Sequence, residues 1–212
     1  MKKYFEKKFW KYINRRSLNN WYKRNFSSPS PEFVKHEIIT NNNLDSSLWI
    51  ETGTYYGDTT NLLSNISSKV ISIEADKRLY DLALKKFQNS KNIEIINDKS
   101  QSILEEILKN NQNHKNLCLY LDAHLCMDHL TKEPTFKDEN LETPIMVELN
   151  IIEKYLTKFD RVNILVDDIR LFDGKTQNYP NLNEIVDWAR KNKSNWFIEH
   201  DIFIIKFQAN SV

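Results

Sequence analysis

The chain has 212 residues, of which 40% are hydrophobic and 28% charged, and its formal net charge is +1. This length suits one domain with a sizeable core, and no stretch reaches the roughly 18 apolar residues that a membrane-spanning helix needs. No apolar run follows the N-terminal lysines, so a cleaved signal peptide is not expected. The two cysteines, Cys118 and Cys126, form neither a disulfide framework nor a metal-type Cys-x-x-Cys pair, which indicates reduced thiols in a cytoplasmic protein.

The basic residues are concentrated at the N-terminus. Residues 1–27 hold nine Lys/Arg against one acid, which leaves 21 basic and 28 acidic residues, a net charge of −7, for the rest of the chain. We therefore expect a basic, aromatic arm over residues 1–30 and an acidic domain over 31–212. In the arm, Phe5, Phe9, Trp10 and Ile13 stand at near-helical spacing and predict an amphipathic helix.

Several partners suit such an arm. Lysines around an apolar face suit a peripheral contact of residues 2–24 with the inner face of a membrane, or with a partner groove. Packing on its own domain, or on a second copy in a homodimer, is equally compatible with the pattern. Nucleic acid is the least expected partner, because the domain behind the arm is acidic.

After the arm, short apolar runs alternate with helical stretches. Strands are predicted at 48–52, 69–75, 92–98, 117–123, 161–168, 196–200 and 202–207, and helices at 31–40, 58–63, 77–89, 101–110, 143–157 and 182–192. Asp58 is expected to cap its helix, and the helix over 77–89 is expected to bury Leu79, Leu82, Ala83 and Phe87. Strands with little polar alternation indicate a sheet buried on both faces. We predict a doubly wound (Rossmann-like) α/β fold with a mostly parallel seven-stranded sheet and a C-terminal antiparallel hairpin.

Two of the three glycines, Gly53 and Gly57, follow the first predicted strand. Ligands bind at the carboxyl ends of the strands in such sheets. Gly53 would allow a sharp turn and Gly57 would allow a ligand to approach the next helix, whereas a tight turn without a ligand is the alternative. The acid-x-Gly-x-x-x-Gly spacing lacks the Gly-x-Gly-x-x-Gly pattern of dinucleotide sites and the Gly-Lys-Ser/Thr pattern of triphosphate sites.

Acidic residues close the next two strands. Glu74 ends the second strand, where a carboxylate can accept both hydroxyls of a ribose. Asp98 ends the third strand and has Ser100 close by, suitably placed for the amino group of an adenine. Together with Glu51, these acids suit a ligand that carries an ammonium group, a ribose and an adenine but no phosphates.

The stretches IETGTYYGDTT, ISIEAD, IINDKS and LYLDAH resemble, in order and spacing, the motifs of class I S-adenosylmethionine-dependent methyltransferases. The resemblance covers roughly residues 45–207. It implies that Glu51 and the backbone of residues 52–54 hold the methionine end of the cofactor. It also implies that Glu74 binds the ribose, with Asp98 and Ser100 near the adenine. The expected cofactor-binding set is Glu51, Thr52, Gly53, Thr54, Gly57, Thr59, Glu74, Asp98, Ser100 and Asp122.

Acidic residues also end the fourth and fifth strands, as Asp122 in LYLDAH and as Asp167 and Asp168 in LVDD. Carboxylates at one mouth repel one another unless a cation or strong donors compensate, and oxygen ligands suit Mg²⁺. The set is similar to the metal-binding set of catechol-type and of macrolide- or aminocoumarin-sugar O-methyltransferases. This resemblance implies a divalent-metal site at Asp122, Asp167 and Asp168. The alternative is that Asp167 or Asp168 caps a loop or pairs with Arg170.

The activity that follows is metal-assisted O-methyl transfer to a small hydroxylated acceptor, such as a sugar, a cell-surface glycan precursor or a nucleotide sugar. Asp122 and His124 are the expected catalytic residues, with His124 as the base because the unperturbed pKa of a histidine side chain lies near neutrality. A metal-ligating or structural role for His124 is the alternative. Residues 124–141 are expected to form a lid over the acceptor.

The sequence also suggests roles for three further residues, and it is compatible with two other functions. Arg170 and Lys175 are expected either to meet a phosphate on an activated sugar or to form surface salt bridges, and Glu148 is expected on a solvated helix face. The first competing function is metal-independent methylation of an amine or phosphate-linked group. The second is a membrane- or partner-binding protein with a vestigial cofactor site.

Overall fold

The structure is a computed structural model that describes residues 14–123, 131, 143–176 and 179–209. Its helices are α1 (14–23), α2 (Glu32–Asn41), α3 (Asp58–Ile66), α4 (Lys77–Phe87), α5 (Ser100–Asn110), α6 (Ile145–Glu153) and α7 (Leu182–Lys191). Its strands are β1 (Leu48–Thr52), β2 (Lys69–Glu74), β3 (Ile93–Asn97), β4 (Asn116–Leu121), β5 (Arg161–Val166), β6 (Asn195–Glu199) and β7 (Ile202–Gln208). Two short 3₁₀ turns follow α6 and β5, at Leu156–Lys158 and Ile169–Leu171.

All seven strands form one sheet in the order β3-β2-β1-β4-β5-β7-β6. Strands β1 to β5 pair in parallel, and β7 pairs antiparallel with both β5 and β6. The predicted fold, including the C-terminal hairpin, is confirmed. The strand order reverses between β1 and β4, and in such a sheet a crevice opens beyond the carboxyl ends of the strands at this point.

The sheet is buried on both faces because successive residues of its central strands point to opposite sides. Ile50 of β1 belongs to an apolar cluster that also contains Leu104 of α5 and Ile185 of α7. Trp49, the preceding residue, belongs to a second cluster with Leu63 of α3. Two helical layers therefore enclose one sheet, as the nearly continuous apolar strands predict.

Two local predictions need correction. Asp58 is the first residue of α3 and makes no capping hydrogen bond, since Gly57 is the N-cap and the Asp58 carboxylate pairs with Lys86 at 2.8 Å. In α4, Leu79, Ala83 and Phe87 are buried as predicted, but Leu82 is 48% exposed. Residues four apart form one stripe along a helix, and Leu82 lies to one side of that stripe.

The arm is described from residue 14 onwards, as helix α1 and the turn that follows it. Trp21 is buried, its indole N–H donates to the Ser27 carbonyl at 2.9 Å, and its ring lies 4.9 Å from the ring of His200. This part of the arm thus packs on the domain, beside the turn between β6 and β7. Phe5, Phe9, Trp10 and Ile13 lie outside the described residues. Among the described helices, none has both the length and the apolar character to cross a membrane.

Candidate functional site

Gly53 and Gly57 frame the loop between β1 and α3. Gly53 has φ +90°, and a Cβ there would lie 2.8 Å from the carbonyl oxygen of Asp122. Gly57 has φ +73°, and a Cβ there would lie 2.6 Å from the ring of Phe87. The sharp turn expected at Gly53 is present, and the structure gives Gly57 a reason other than ligand approach. Its close neighbour is a side chain of α4.

Glu51 anchors a buried network of hydroxyl groups beneath this loop. Glu51 is only 1% exposed, and its Oε2 accepts hydrogen bonds from the hydroxyl groups of Ser72 at 2.6 Å and Thr60 at 2.5 Å. The Ser72 hydroxyl also lies 2.6 Å from that of Thr54. Oε1 of Glu51 has no hydrogen-bond partner among the described residues. Burial raises the pKa of Glu51 to about 8, although the two hydroxyl donors lower it.

Glu74 ties the same loop to the end of β2. Its Oε2 accepts a hydrogen bond from the backbone N–H of Tyr55 at 2.8 Å, and its Oε1 accepts one from the N–H of Asp76 at 2.9 Å. Burial raises the pKa of this carboxyl group, against the effect of the backbone donors. Each carboxylate oxygen has a second lone pair, so Glu74 retains capacity to accept further hydrogen bonds.

The other residues of the expected cofactor-binding set lie at the same edge of the sheet. Thr52 ends β1, and its carbonyl accepts a hydrogen bond from the N–H of Asp122 at 3.1 Å. Thr59 is the second residue of α3, and Ser100 is the buried first residue of α5. Asp98 is exposed and accepts a hydrogen bond from the N–H of Lys99 at 2.7 Å. The pairing of β1 with both β2 and β4 brings Glu51, Glu74 and Asp122 to one edge.

A small cleft lies at the ends of β4 and β5. Four acidic residues line it, together with aromatic side chains such as Phe172 and Tyr179. Three of these acids are the predicted ones, Asp122, Asp167 and Asp168, which therefore share one cleft. The fourth is Glu148.

The expectation that Glu148 lies on a solvated face is wrong. Glu148 is 1% exposed, and its Oε1 has no hydrogen-bond partner among the described residues. Burial raises the pKa of Glu148 to about 7, while the nearby hydroxyls of Ser100 and Thr52 lower it and Asp122 raises it. The burial of Glu148 could have been predicted from helical spacing. The i, i+3, i+4, i+7 pattern of a buried stripe is formed by Ile145, Glu148, Leu149 and Ile152.

Within the described part of the chain, the acids close enough to share an ion are Asp167, Asp168 and Asp201, whose oxygens lie within 4.8 Å of one another. Asp201 comes from the turn between β6 and β7 and stands where Asp122 was predicted to complete the set. Asp201 is not among the predicted residues, because its approach to β5 depends on the hairpin.

These carboxylates are already paired with cationic side chains. Lys35 of α2 places its Nζ 2.6 Å from Asp167 Oδ2 and 3.3 Å from Asp168 Oδ1. Burial alone would lower the pKa of Lys35, but the two carboxylates raise it above its ordinary value. Arg170 lies 2.5 Å from Asp168 Oδ1 and also pairs with Asp201. Arg170 therefore forms salt bridges, as one of the two alternatives predicted. With their oxygens paired to cations in this way, the three carboxylates do not fit a divalent ion.

The predicted lid over 124–141, including His124, lies outside the described residues except for Thr131. The role of His124 as the base therefore stays a prediction.

No protein-family model matches the sequence, and no curated protein sequence matches it. Solved structures do match its fold. NodS, an N-methyltransferase from Bradyrhizobium japonicum WM9 in complex with S-adenosyl-L-homocysteine, has a TM-score of 0.54 and 10% identity, over 87% of this chain and 90% of its own. The 23S rRNA methyltransferase ErmE has a TM-score of 0.51 and 12% identity, over 85% and 69% of the two chains. The chain thus has the fold of class I S-adenosylmethionine-dependent methyltransferases, as the motif resemblance implies.

Proposed function

We propose that the protein is an S-adenosylmethionine-dependent methyltransferase that acts on a hydroxyl oxygen of a small, uncharged acceptor such as a sugar. One observation carries the proposal. Glu51, Glu74 and Asp122 lie at one edge of the sheet, directly beside the acidic cleft at the ends of β4 and β5. A cofactor edge next to an acceptor cleft is the arrangement that group transfer requires, because catalysis depends on positioning two reactants together.

The residues at this edge suit the cofactor. Glu74 has lone pairs left for the ribose hydroxyls, as its two oxygens each accept one backbone N–H. Glu51 Oε1 is buried at the end of β1 without a hydrogen-bond partner among the described residues. Buried polar atoms are normally paired, so this oxygen supports a bound ligand or water at the methionine end. The cofactor would supply a methyl group on a positively charged sulfur, a charge that nearby carboxylates favour.

The charge of the cleft supports an uncharged acceptor. Asp167 and Asp168 are compensated by Lys35 and Arg170, whereas the described residues around Glu148 include no cation paired with it. An acidic lining disfavours a phosphate-bearing acceptor, and carboxyl groups accept hydrogen bonds from hydroxyls. We therefore favour a free sugar or polyol over a nucleotide sugar. An amine is the second candidate, because the same lining attracts a protonated amine.

Glu148 is a candidate base in this cleft, in addition to His124, which the sequence predicts. Its carboxyl group has a buried oxygen that no described residue hydrogen-bonds, and burial raises its pKa to about 7, which suits proton transfer near neutral pH. We propose that Glu148 accepts the hydrogen bond of the acceptor hydroxyl and takes up its proton, while the cofactor, when bound, would supply the methyl group and leave as the neutral thioether.

Calorimetry with S-adenosylhomocysteine tests the cofactor half of the proposal. Wild-type protein should bind it, and Glu74→Ala should weaken binding by roughly a hundredfold or more, since two hydrogen bonds to a charged group are lost. The matched control is Glu94→Ala, whose carboxylate is 52% exposed on β3 and pairs with Lys69 at 2.9 Å. This control should bind as wild type does. An absence of binding to the wild-type protein would refute the proposed function.

The acceptor half is tested with a methyl-labelled cofactor and cell extract. Label should appear in small molecules, as an oxygen-linked methyl group for a hydroxyl acceptor or a nitrogen-linked one for an amine. ErmE, which shares the fold, is a 23S rRNA methyltransferase. Label recovered in RNA would therefore overturn the small-acceptor proposal while leaving the transferase activity intact.

A further inference from the structure

We infer that the ammonium group of Lys35 is a tethered cation that fills the position a divalent ion would take between Asp167 and Asp168, so that the site works without a metal. This inference rests on the proposed function for its catalytic meaning, but the cation arrangement can be tested without any acceptor. It also explains why the acidic motif, which predicts a metal ion, is paired with side-chain cations in the structure.

The position of Lys35 is set by the packing of α2. Ile38 and Ile39 of the same helix are buried in the apolar cluster on the α3 face of the sheet. This packing holds the first half of α2 beside the end of β5. The Lys35 side chain is 19% exposed, and the Asp167 side chain that it meets is 1% exposed. The ion pair is therefore largely shielded from solvent.

Both oxygens of Asp167 accept hydrogen bonds in this arrangement. Oδ2 accepts from Lys35 Nζ at 2.6 Å and from the Tyr120 hydroxyl at 2.5 Å. Oδ1 accepts from the backbone N–H of Asp168 at 2.7 Å. An incoming divalent ion would have to displace the ammonium group, which would then lose its partners. Buried charges are stable only when they are paired, so this exchange is unfavourable.

The charges of the cluster lead to the same conclusion. Asp167, Asp168 and Asp201 carry three negative charges when ionised, and Lys35 and Arg170 supply two positive ones. Removing the Lys35 charge leaves a net charge of −2 on three converging carboxylates. Hard divalent ions bind such oxygen clusters more tightly as the ligand charge rises. Lys35 thus compensates the charge of these carboxylates, and its loss should create a metal site.

Electron paramagnetic resonance with Mn²⁺ alone tests this inference, since carboxylate oxygens suit that ion. Wild-type protein should leave added Mn²⁺ free, whereas Lys35→Met should bind one ion at least about tenfold more tightly, a difference of about 1.4 kcal/mol. The matched control is Lys154→Met, which removes an exposed ammonium group 3.2 Å from Glu105. It should behave as the wild type does. The double variant Lys35→Met, Asp167→Asn should lose the new site.

Two results would overturn the inference: one Mn²⁺ bound in the wild-type cleft, or a folded Lys35→Met variant that binds no more Mn²⁺ than the wild type. If Lys35→Met does not fold, Lys35→Arg is measured instead. This variant keeps the charge and should exclude Mn²⁺ as the wild type does. Binding of Mn²⁺ by Lys35→Arg or by the wild type would contradict the inference. Calorimetry with S-adenosylhomocysteine on the same samples keeps the two proposals separate. Cofactor binding should be retained in Lys35→Met, and its absence from the wild type would count against the proposed function alone.

Discussion

Replacing Glu51 by glutamine should make the protein more stable at alkaline pH. Oε2 of Glu51 accepts two hydroxyl hydrogen bonds and Oε1 has no partner among the described residues. A glutamine oxygen can accept the same two bonds, and its NH₂ group takes the place of the protonated oxygen. Glu51→Gln therefore imitates the neutral acid that burial favours, and it removes the cost of a buried charge.

The size of this effect follows from the pKa, which burial raises from 4.5 to about 8. Between these values the folded protein keeps a proton that the unfolded chain releases. The contribution of Glu51 to stability is therefore complete below about pH 4.5, falls as the pH rises through about 8, and then levels off. At about 1.4 kcal/mol per pH unit the loss is at most about 5 kcal/mol, and roughly 2–5 kcal/mol is a realistic range.

Urea unfolding of wild type and Glu51→Gln between pH 5 and pH 9 measures the difference. The two free energies of unfolding should lie closest together at pH 5 and diverge as the pH rises towards 8, with the variant the more stable. Glu94→Gln removes a charge from an exposed side chain and corrects for the change in net charge. Parallel curves for wild type and Glu51→Gln would refute the argument, because they would mean that Glu51 titrates alike in the folded and unfolded states.

Three further predictions concern the loop, the cleft and the arm. Gly57→Ala should destabilise the protein by roughly 1–3 kcal/mol in urea unfolding, because it adds a Cβ at φ +73° that would lie 2.6 Å from the Phe87 ring; an unchanged midpoint would contradict this. Glu148→Gln should lower the methyl-transfer rate by roughly a hundredfold or more and remove the rise in rate through about pH 7, with cofactor affinity unchanged; a retained pH profile would exclude Glu148 as the base. Trp21→Ala should cost about 3 kcal/mol of stability, whereas Tyr22→Ala, at a position 67% exposed, should cost little; equal effects would show that Trp21 does not anchor the arm.

The fold could be predicted from the sequence because its signals are local. Apolar runs such as Leu48–Thr52 and Lys69–Glu74 are uniform enough to identify buried strands, and their ends are marked by acids or glycines. The convergence of the acids followed from the same pattern, since the carboxyl ends of parallel strands share one edge. Boundaries differed by a few residues where capping and 3₁₀ turns decide them.

The missed residues depend on contacts between distant parts of the chain. Lys35 meets Asp167 across 132 positions of sequence, and Arg170 meets Asp201 across 31. No spacing rule connects such pairs, so the sequence predicted a metal ion where the structure places side-chain cations. Glu148 was missed for a different reason, because a single charge in an apolar stripe was assigned to solvent although its helical position indicated burial.

The contact between Trp21 and His200 has a consequence for how the chain can be shortened. His200 directly precedes Asp201, the residue that joins the hairpin to Arg170 and Asp168. A truncation at residue 30 would remove the indole ring that packs against His200, one residue before Asp201. The arm from residue 14 onwards is therefore part of the packing of this corner, and a protein shortened at residue 30 would lack a contact next to the acidic cluster of Asp167, Asp168 and Asp201.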